Sequence, residues 1–466
     1  MDDVDALIIG AGAAGLAAAR ALADGGCSLA ILEARDRIGG RVHTTRPAGA
    51  ALPIELGADF VHGRPAVTFA LAQQAGLTLY ESSGEMWLAR QGHLMAAAEM
   101  GGDDVGPSAA PDQDADADEE TTEDAFGAVL AALATDSGPD RSFQAFLDDR
   151  FAGPRWAAAR RRATGYVEGF DAADPATVSV RWLAHSEATP YSSDGDRQFH
   201  LLEGYDRLLE ALRDGLDPAR AALHLNTVVE EIAWSPGRVT VTARERPGGA
   251  VQTYTARAAI VALPLGVLAA PPGAEGAVRF APALPEKAAA IARLAMGHAG
   301  KVVLRFRELF WDTVAPRLPQ MPRLGFLFAE GAAFPTWWSH YPVLAPRLTA
   351  WLGGPRAARL AGQPPEATVA LAVGALAGAL GLARTTVEAL LVDWHLHDWG
   401  GDPFSRGAYS YVLVGGMDAP RQLGAPVADT LFFAGEATDD TDTGTVHAAL
   451  ASGQRAAREA LAYLVT

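Results

Sequence analysis

The 466-residue chain has a single cysteine, Cys27. That excludes an internal disulfide and any cysteine-based metal site, and Cys27 itself reads as a small buried thiol at the start of a strand. Long apolar runs are also missing. The most hydrophobic stretch, residues 367–383, is about 17 residues of mainly Ala, Gly, Leu and Val, which suits a packed helix better than a bilayer span. Residues 91–140 hold no Lys or Arg but 13 Asp and Glu. Without those 13 acids the formal charge of −18 falls to −5, so the acidity is local, concentrated in GGDDVGPSAAPDQDADADEETTED (101–124). Such a composition cannot bury enough apolar surface to order itself and reads as a solvated loop. A sharper reading is an electrostatic funnel for a cationic substrate. No basic patch interleaved with aromatics is present, so nucleic acid is not expected as a partner. The first apolar strand begins almost at Met1, leaving no room for a signal peptide. The expectation is a soluble, cytoplasmic protein without a membrane partner, its oligomeric state open.

What the chain does have starts at residue 6. An apolar strand (Leu7, Ile8, Ile9) leads into Gly10-x-Gly12-x-x-Gly15, with Ala14 inside the motif, and an alanine-rich helix follows. A second apolar strand, Leu29 to Leu32, ends on Glu33. Gly10 permits the tight turn, Gly12 lets backbone approach a pyrophosphate, and Gly15 allows close packing of helix on strand. The helix start offers free N–H groups and its positive dipole end to phosphate. Glu33 falls 18 residues after Gly15, close to the spacing of a carboxylate that takes a ribose hydroxyl pair. Arg35, Gly39, Gly40 and Arg41 extend the run and suit a second phosphate contact, favouring FAD over NAD.

At this length two domains are expected. Dinucleotide-domain character recurs in residues 1–75, 200–284 and 405–466, and different material occupies 76–199 and 285–404. The fold expected is α/β: a discontinuous Rossmann-like FAD-binding domain interleaved with an α+β substrate-binding domain. Residues 76–199 read as helical with the acidic insertion. LHLNTVVEEIAW reads as an alternating strand pair, and KVVLRF (301–306) and LTAWLG (348–353) as strands.

The segments GAGAAGLAAA, LEARDRIGGRV, ELGADFVHG (55–63), LPLGVL (263–268), GKVVLRF (300–306), DPFSRGAYSY (402–411) and FAGEATDDTDTGTVHAALASG (433–453) occur in the order found in flavin amine oxidases. The chain resembles this group, which includes monoamine oxidases, polyamine oxidases and histone-demethylase-like enzymes, over nearly its whole length. With Cys27 read as a core thiol and no other cysteine available for a thioether to the flavin, any FAD is expected to be held noncovalently unless another residue type makes the link. The resemblance places Glu33 at the adenosine ribose, Arg41 at the pyrophosphate with Arg35 beside it, and the Val229 backbone at the adenine. Glu436, with Gly435 allowing close approach, would reach the ribityl or pyrophosphate region. Thr445 and Val446 would start the last helix at the pyrimidine end of the flavin, where a helix dipole stabilises negative charge. Gly57, Asp59 and Phe60 would run beside the isoalloxazine. Lys301 interrupts an apolar strand, which is costly without a partner; the resemblance puts it beneath flavin N5, bridged by a water.

Three residues are implied to face the reaction: Lys301, Tyr409 and His62. Tyr409 would wall a cage that presses the amine against the flavin, with Trp399 in the same W-x-x-DPFSRG-x-Y run. The second cage aromatic of monoamine oxidases falls at Thr445, which favours a longer or bulkier amine such as a polyamine. His62 would orient the amine or be a structural hydrogen-bonder. The activity implied is hydride transfer from the carbon next to nitrogen to the flavin, imine hydrolysis to an aldehyde or ketone, and reoxidation by dioxygen to hydrogen peroxide. An amino-acid oxidase or a desaturase or porphyrinogen-type oxidase on the same domain is the nearer alternative, with Arg406 the one cation available for a carboxylate. A noncatalytic FAD scaffold is the distant one. His395-x-His397-Asp398 looks like metal ligands without the companions a site needs, so no metal is expected. Trp337 and Trp338 read as cavity lining or core, and Asp174 matches loosely an acid that holds a distal ammonium.

Overall fold

The computed structural model describes residues 4–90, 93–96, 122–188, 195, 197–313 and 321–465. The acidic stretch 101–124 lies outside the described residues except for its last three positions, which open the helix Thr122–Ala134.

Strand β1 (Val4–Ile9) and strand β2 (Leu29–Leu32) flank helix α1 (Ala13–Asp24) in sequence and pair in parallel, Ala6 with Leu29 and Ile8 with Ile31. On its other side β1 pairs in parallel with the second half of Val251–Val261. Both strands are continuous apolar runs because both faces of this sheet are covered. Ala221–His224 adds beyond β2, and Leu431–Phe433 pairs in parallel with Ala259–Val261. The first half of Val251–Val261 continues instead into an antiparallel meander with Arg238–Glu245 and Thr227–Ser235, edged by Arg279–Ala281. LHLNTVVEEIAW thus yields two strands that do not pair with each other. Asn226 turns the chain with φ +54°, sending one strand to the parallel edge and the other into the meander.

The last helix, Val446–Leu464, packs along α1. A Cβ on Gly453 would sit 2.2 Å from the Ala14 carbonyl oxygen, so the two backbones approach too closely for any side chain there.

The second sheet runs, in order, Leu391–Leu396, Ala299–Phe306, Arg347–Gly353, Thr336–Trp338, Leu324–Ala329, Glu85–Arg90 and His93–Ala96. Its strands alternate in sequence with those of the first sheet, giving the α/β architecture expected. The opening of 76–199 is a correction: Leu79–Glu81, Glu85–Arg90 and His93–Ala96 are strands, and among the described residues of this stretch the first helix is Thr122–Ala134. Trp87 and Ala89 alternate inward on Glu85–Arg90, a pattern only a few residues long and paired with a strand far away at Leu324–Ala329.

The apolar helix Pro365–Ala379 packs against the second sheet. Among the described residues no single helix is long and apolar enough to cross a membrane, although Pro365–Ala379 and Arg384–Leu390 pass together as a bent pair on length and composition. Cys27 is buried just before β2, and desolvation raises its thiol pKa.

Candidate active site

The glycine loop behaves as its spacing requires. Gly10 has φ +101°, and a Cβ on Gly15 would lie 1.9 Å from the Gly10 carbonyl oxygen, so α1 seats directly on the turn. In the Cβ direction of Gly12 nothing comes closer than 3.9 Å, leaving an open cradle at the helix start. Glu33 is buried at the end of β2. Its Oε2 accepts the Ala11 N–H (2.8 Å) and its Oε1 the Arg35 N–H (2.9 Å), which ties the carboxylate to the loop. Cradle, helix start and carboxylate fit a dinucleotide.

Arg41 donates to the Ala408 carbonyl (2.9 Å) and to Glu436 Oε1 (2.7 Å), while Glu436 Oε2 accepts from Ser410. The half-buried Arg41 and the buried Glu436 therefore act as one ion pair that clamps the first glycine segment to the FAGEAT strand end. Gly435, with φ +136°, donates its N–H to Ser452 Oγ and leaves its Cβ direction open. Arg35 reaches across to Asp402 Oδ2 (2.9 Å) and Ser405 Oγ (2.7 Å). Gly40 lies against Gly12, and Val229 sits beside a ladder irregularity of Thr227–Ser235. Trp399 donates to the Leu56 carbonyl (2.8 Å), bracing the segment that carries Gly57.

Lys301 is buried on Ala299–Phe306. Its ammonium donates to the Gly57 carbonyl (3.1 Å) and to Asp59 Oδ2 (2.9 Å), leaving one N–H direction for a further acceptor such as a water. Asp59 also accepts Trp338 Nε1–H (3.2 Å) and faces His200 Nδ1 (2.9 Å). Burial pushes the Asp59 carboxyl up, but the Lys301 ammonium and the neighbouring His200 outweigh it and hold it well below the usual carboxylate range. The expected role of Asp59 lay in its backbone; its side chain is in addition the counter-charge of Lys301. The chain has only two lysines. The other, Lys287, is also buried, donating to the Gln422 and Leu423 carbonyls.

Tyr409 donates its hydroxyl to the Phe170 carbonyl (2.6 Å), and its ring lies against Gly444, the residue before Thr445. Thr445 caps the last helix by accepting the Ala448 N–H (3.1 Å), so Val446 begins it as expected. His62 packs its ring against Phe60 and Phe170, and burial, with His447 and His200 nearby, lowers its pKa to about 4. Tyr409, Phe170, His62 and His447 thus gather around the start of that helix.

Other expectations find different places. Asp174 caps a turn through the Ala176 N–H, whereas Asp171, beside Phe170, is buried with Oδ2 unpartnered. Desolvation and Glu187 raise the Asp171 carboxyl well above its usual range. Arg406 turns to the Glu275 carbonyl. His395 and His397 face Asp393 and Asp402 rather than each other. A three-ligand group does exist elsewhere: Asp59, His200 and His340 bring one ligand atom each within 4.8 Å. His200, His340, His447 and Asp171 were not legible as site residues. For His200 the available signal was the one used for Lys301, a polar residue inside the apolar run Phe199–Leu202.

A family model described as flavin containing amine oxidoreductase matches residues 13–461. The chain belongs to this family. It is an enzyme of the amine oxidase kind, and its cofactor is a flavin. Polyamine oxidase 2 of Arabidopsis thaliana is 31% identical over 97% of this chain and 87% of its own length. Lysine-specific histone demethylase 1 homolog 3 of the same plant is 29% identical over 98% of this chain but 30% of its own length. Solved structures share the fold. A putrescine oxidase bound to putrescine superposes with TM-score 0.77 at 22% identity over 99% of both chains. The cyclohexylamine oxidase of Brevibacterium oxydans IH-35A gives 0.78 at 23% identity over 100% of both.

Proposed function

We propose that this amine oxidase acts on a di- or polyamine, held beside noncovalently bound FAD, and uses dioxygen as the final acceptor with release of hydrogen peroxide. When bound, the flavin takes up the two electrons and the hydrogen that leave the carbon next to nitrogen; the imine product then hydrolyses in water. The chain supplies position and charge. The Tyr409 ring, fixed through its hydroxyl to Phe170, is one wall for the amine. His62, uncharged above pH 5 or so, can accept a hydrogen bond from an amine without repelling it. Lys301 has an N–H left to hold a water.

The substrate class rests on Asp171. A buried carboxyl oxygen with no partner is costly, and a half-buried acid, Glu187, stands near it and accepts the Tyr166 hydroxyl. A second ammonium on the substrate would be the partner that Asp171 Oδ2 lacks. The plant polyamine oxidase and the fold shared with putrescine oxidase agree with this reading. The orientation of Arg406 toward Glu275 speaks against a carboxylate-bearing substrate.

Anaerobic mixing with a panel of polyamines, monoamines and amino acids, read as flavin bleaching, tests the proposal. Polyamines should bleach fastest, and Asp171→Asn should erase their advantage over monoamines. If no amine bleaches the flavin, the activity is wrong; if monoamines are equally fast in the unaltered protein, the substrate class is. Deleting 103–121 and measuring the salt dependence of KM tests whether the acidic segment draws the polycation in.

A further inference from the structure

The surroundings of Lys301 contain more titratable groups than amine oxidation employs. From Lys301 Nζ the contacts run to Asp59 Oδ2 and, through Asp59 Oδ1, to His200 Nδ1, each step 2.9 Å. Asp59 is a carboxylate between two donors, so Nδ1 of His200 carries the proton. The other ring nitrogen, Nε2, is buried and has no hydrogen-bond partner. Beyond it lie the rings of His340 and Tyr80, with centroids 4.6 and 5.3 Å away, and His340 Nδ1 is 3.0 Å from the Tyr80 hydroxyl. A small cavity with room for about one water touches Asp59, Tyr80, His200 and His340. Its outer wall, Leu52, Pro53 and Leu202, is only half-buried. Polar groups therefore continue from Lys301 to just under the surface.

A strut for Asp59 would need one N–H and no more, as Trp338 provides on the same carboxylate. The bare second nitrogen of His200 is what a strut lacks and a proton carrier requires. The three potential metal ligands here share their space with the Lys301 ammonium and the Arg347 guanidinium, which oppose a divalent cation. Two further groups set the field on this cluster, Glu55 from Ile54–Glu55 and Tyr205 ahead of Asp206–Asp214. His62 adds a neutral ring from Val61–His62. Burial, together with Arg347, lowers the pKa of His340 well below the ordinary histidine range, so it stands beside the cavity as a neutral ring with one donor and one acceptor nitrogen.

We propose that Asp59 and His200, with His340 and Tyr80 beyond, form a path that returns to Lys301 the proton it yields when dioxygen is reduced. The balance is simple. Dioxygen receives two electrons and one hydrogen from the reduced cofactor and one proton from the Lys301 side, giving hydrogen peroxide. That proton is replaced along the path, ultimately from solvent. The proposal rests on the flavin–dioxygen reading above, not on the choice of amine. Asp59 and His200 are both relays: Asp59 hands to Lys301 the proton it takes from His200 Nδ1, and His200 Nε2 takes up the next one.

His200→Asn separates relay from strut: the amide can still donate to Asp59 from near the Nδ1 position but has nothing at Nε2. The FAD-loaded protein is reduced with dithionite, so no amine is involved, and mixed with oxygenated buffer across pH 6–9. Reoxidation in His200→Asn should slow on the order of tenfold or more, with imidazole in the buffer restoring it. Tyr80→Phe, which removes one hydroxyl, should slow it less and gives a second variant if the first fails to fold. Unchanged rates in both, or slow rates that imidazole does not restore, overturn the path. An independent readout is nitrogen NMR of histidine rings in the FAD-free protein: His200 should carry its proton on Nδ1 and be bare on Nε2, and the reverse overturns the proposal. Reoxidation slowed in His200→Asn and restored by imidazole, with no amine able to reduce the flavin, would uphold the path and refute the amine-oxidising reading alone.

Discussion

The face around Glu33 and the cluster around Lys301 are built in opposite ways. Nearly everything that shapes the first lies between Gly10 and Arg41, and each part works through backbone: a turn, a helix start, two N–H groups on one carboxylate. The second is assembled from side chains of Glu55–Asp59, Tyr80, His200, Lys301, Trp338–His340 and Arg347, segments that meet only after both sheets form. A cofactor shared by many enzymes can be held by local geometry. The reaction made of it depends on buried charges whose partners are far away in sequence.

The contrast can be broken at several points. The largest effect belongs to Gly15→Ala, whose methyl would collide with the Gly10 carbonyl at 1.9 Å. We expect purified protein with essentially no flavin, read from its visible spectrum. Lys301→Met comes next. It leaves Asp59 buried without its main counter-charge, at a cost of about 3–5 kcal/mol near pH 7. The cost depends on pH. In the unaltered protein the depressed Asp59 carboxyl contributes stability above its unfolded pKa, about 4, and that is lost as pH falls through the folded value. In the variant burial is opposed only by His200, His340 and the Trp338 N–H, so the carboxyl rises, and the gap between the two proteins closes as pH falls through the variant's folded value. Denaturant titrations at pH 7 and 5 should show the gap between the two proteins narrowing.

Glu55 sharpens the comparison from the other side. Burial, with Asp59 nearby, raises it from 4.5 to about 7. A raised carboxyl stabilises fully below its unfolded pKa and loses that contribution as pH climbs through the folded one. Glu55→Gln should therefore gain on the unaltered protein by up to about 3 kcal/mol between pH 4.5 and 8; a constant difference across that range would show that Glu55 does not titrate there. The smallest change is Tyr409→Phe. It removes one hydrogen bond to the Phe170 carbonyl, about 1 kcal/mol, and should raise KM a few-fold with flavin content intact.

The same contrast explains what could be read from the chain. Strand, glycines, helix and acid follow one another with fixed spacings, so Glu33 and its loop were legible, as were Thr445 and Val446 at a helix start. Lys301 stood out because a charge inside KVVLRF demands a partner. The partner itself did not: Asp59 lies 242 residues earlier, and its neighbours His200 and His340 carry no motif. Asp174 was expected where Asp171 is buried, because turn-capping and buried acids look alike in FDAADP. The strands at 79–96 were hidden by brevity, by a distant pairing partner and by the acidic composition just beyond them.

The most direct test of the division between the two regions is Lys301→Met with flavin content and amine turnover measured on the same preparation. Flavin bound at the level of the unaltered protein, with turnover lowered at least tenfold, is the outcome expected when the glycine face holds the cofactor and Lys301 serves the reaction. Turnover that stays unchanged, or flavin that is lost along with the lysine, would contradict it.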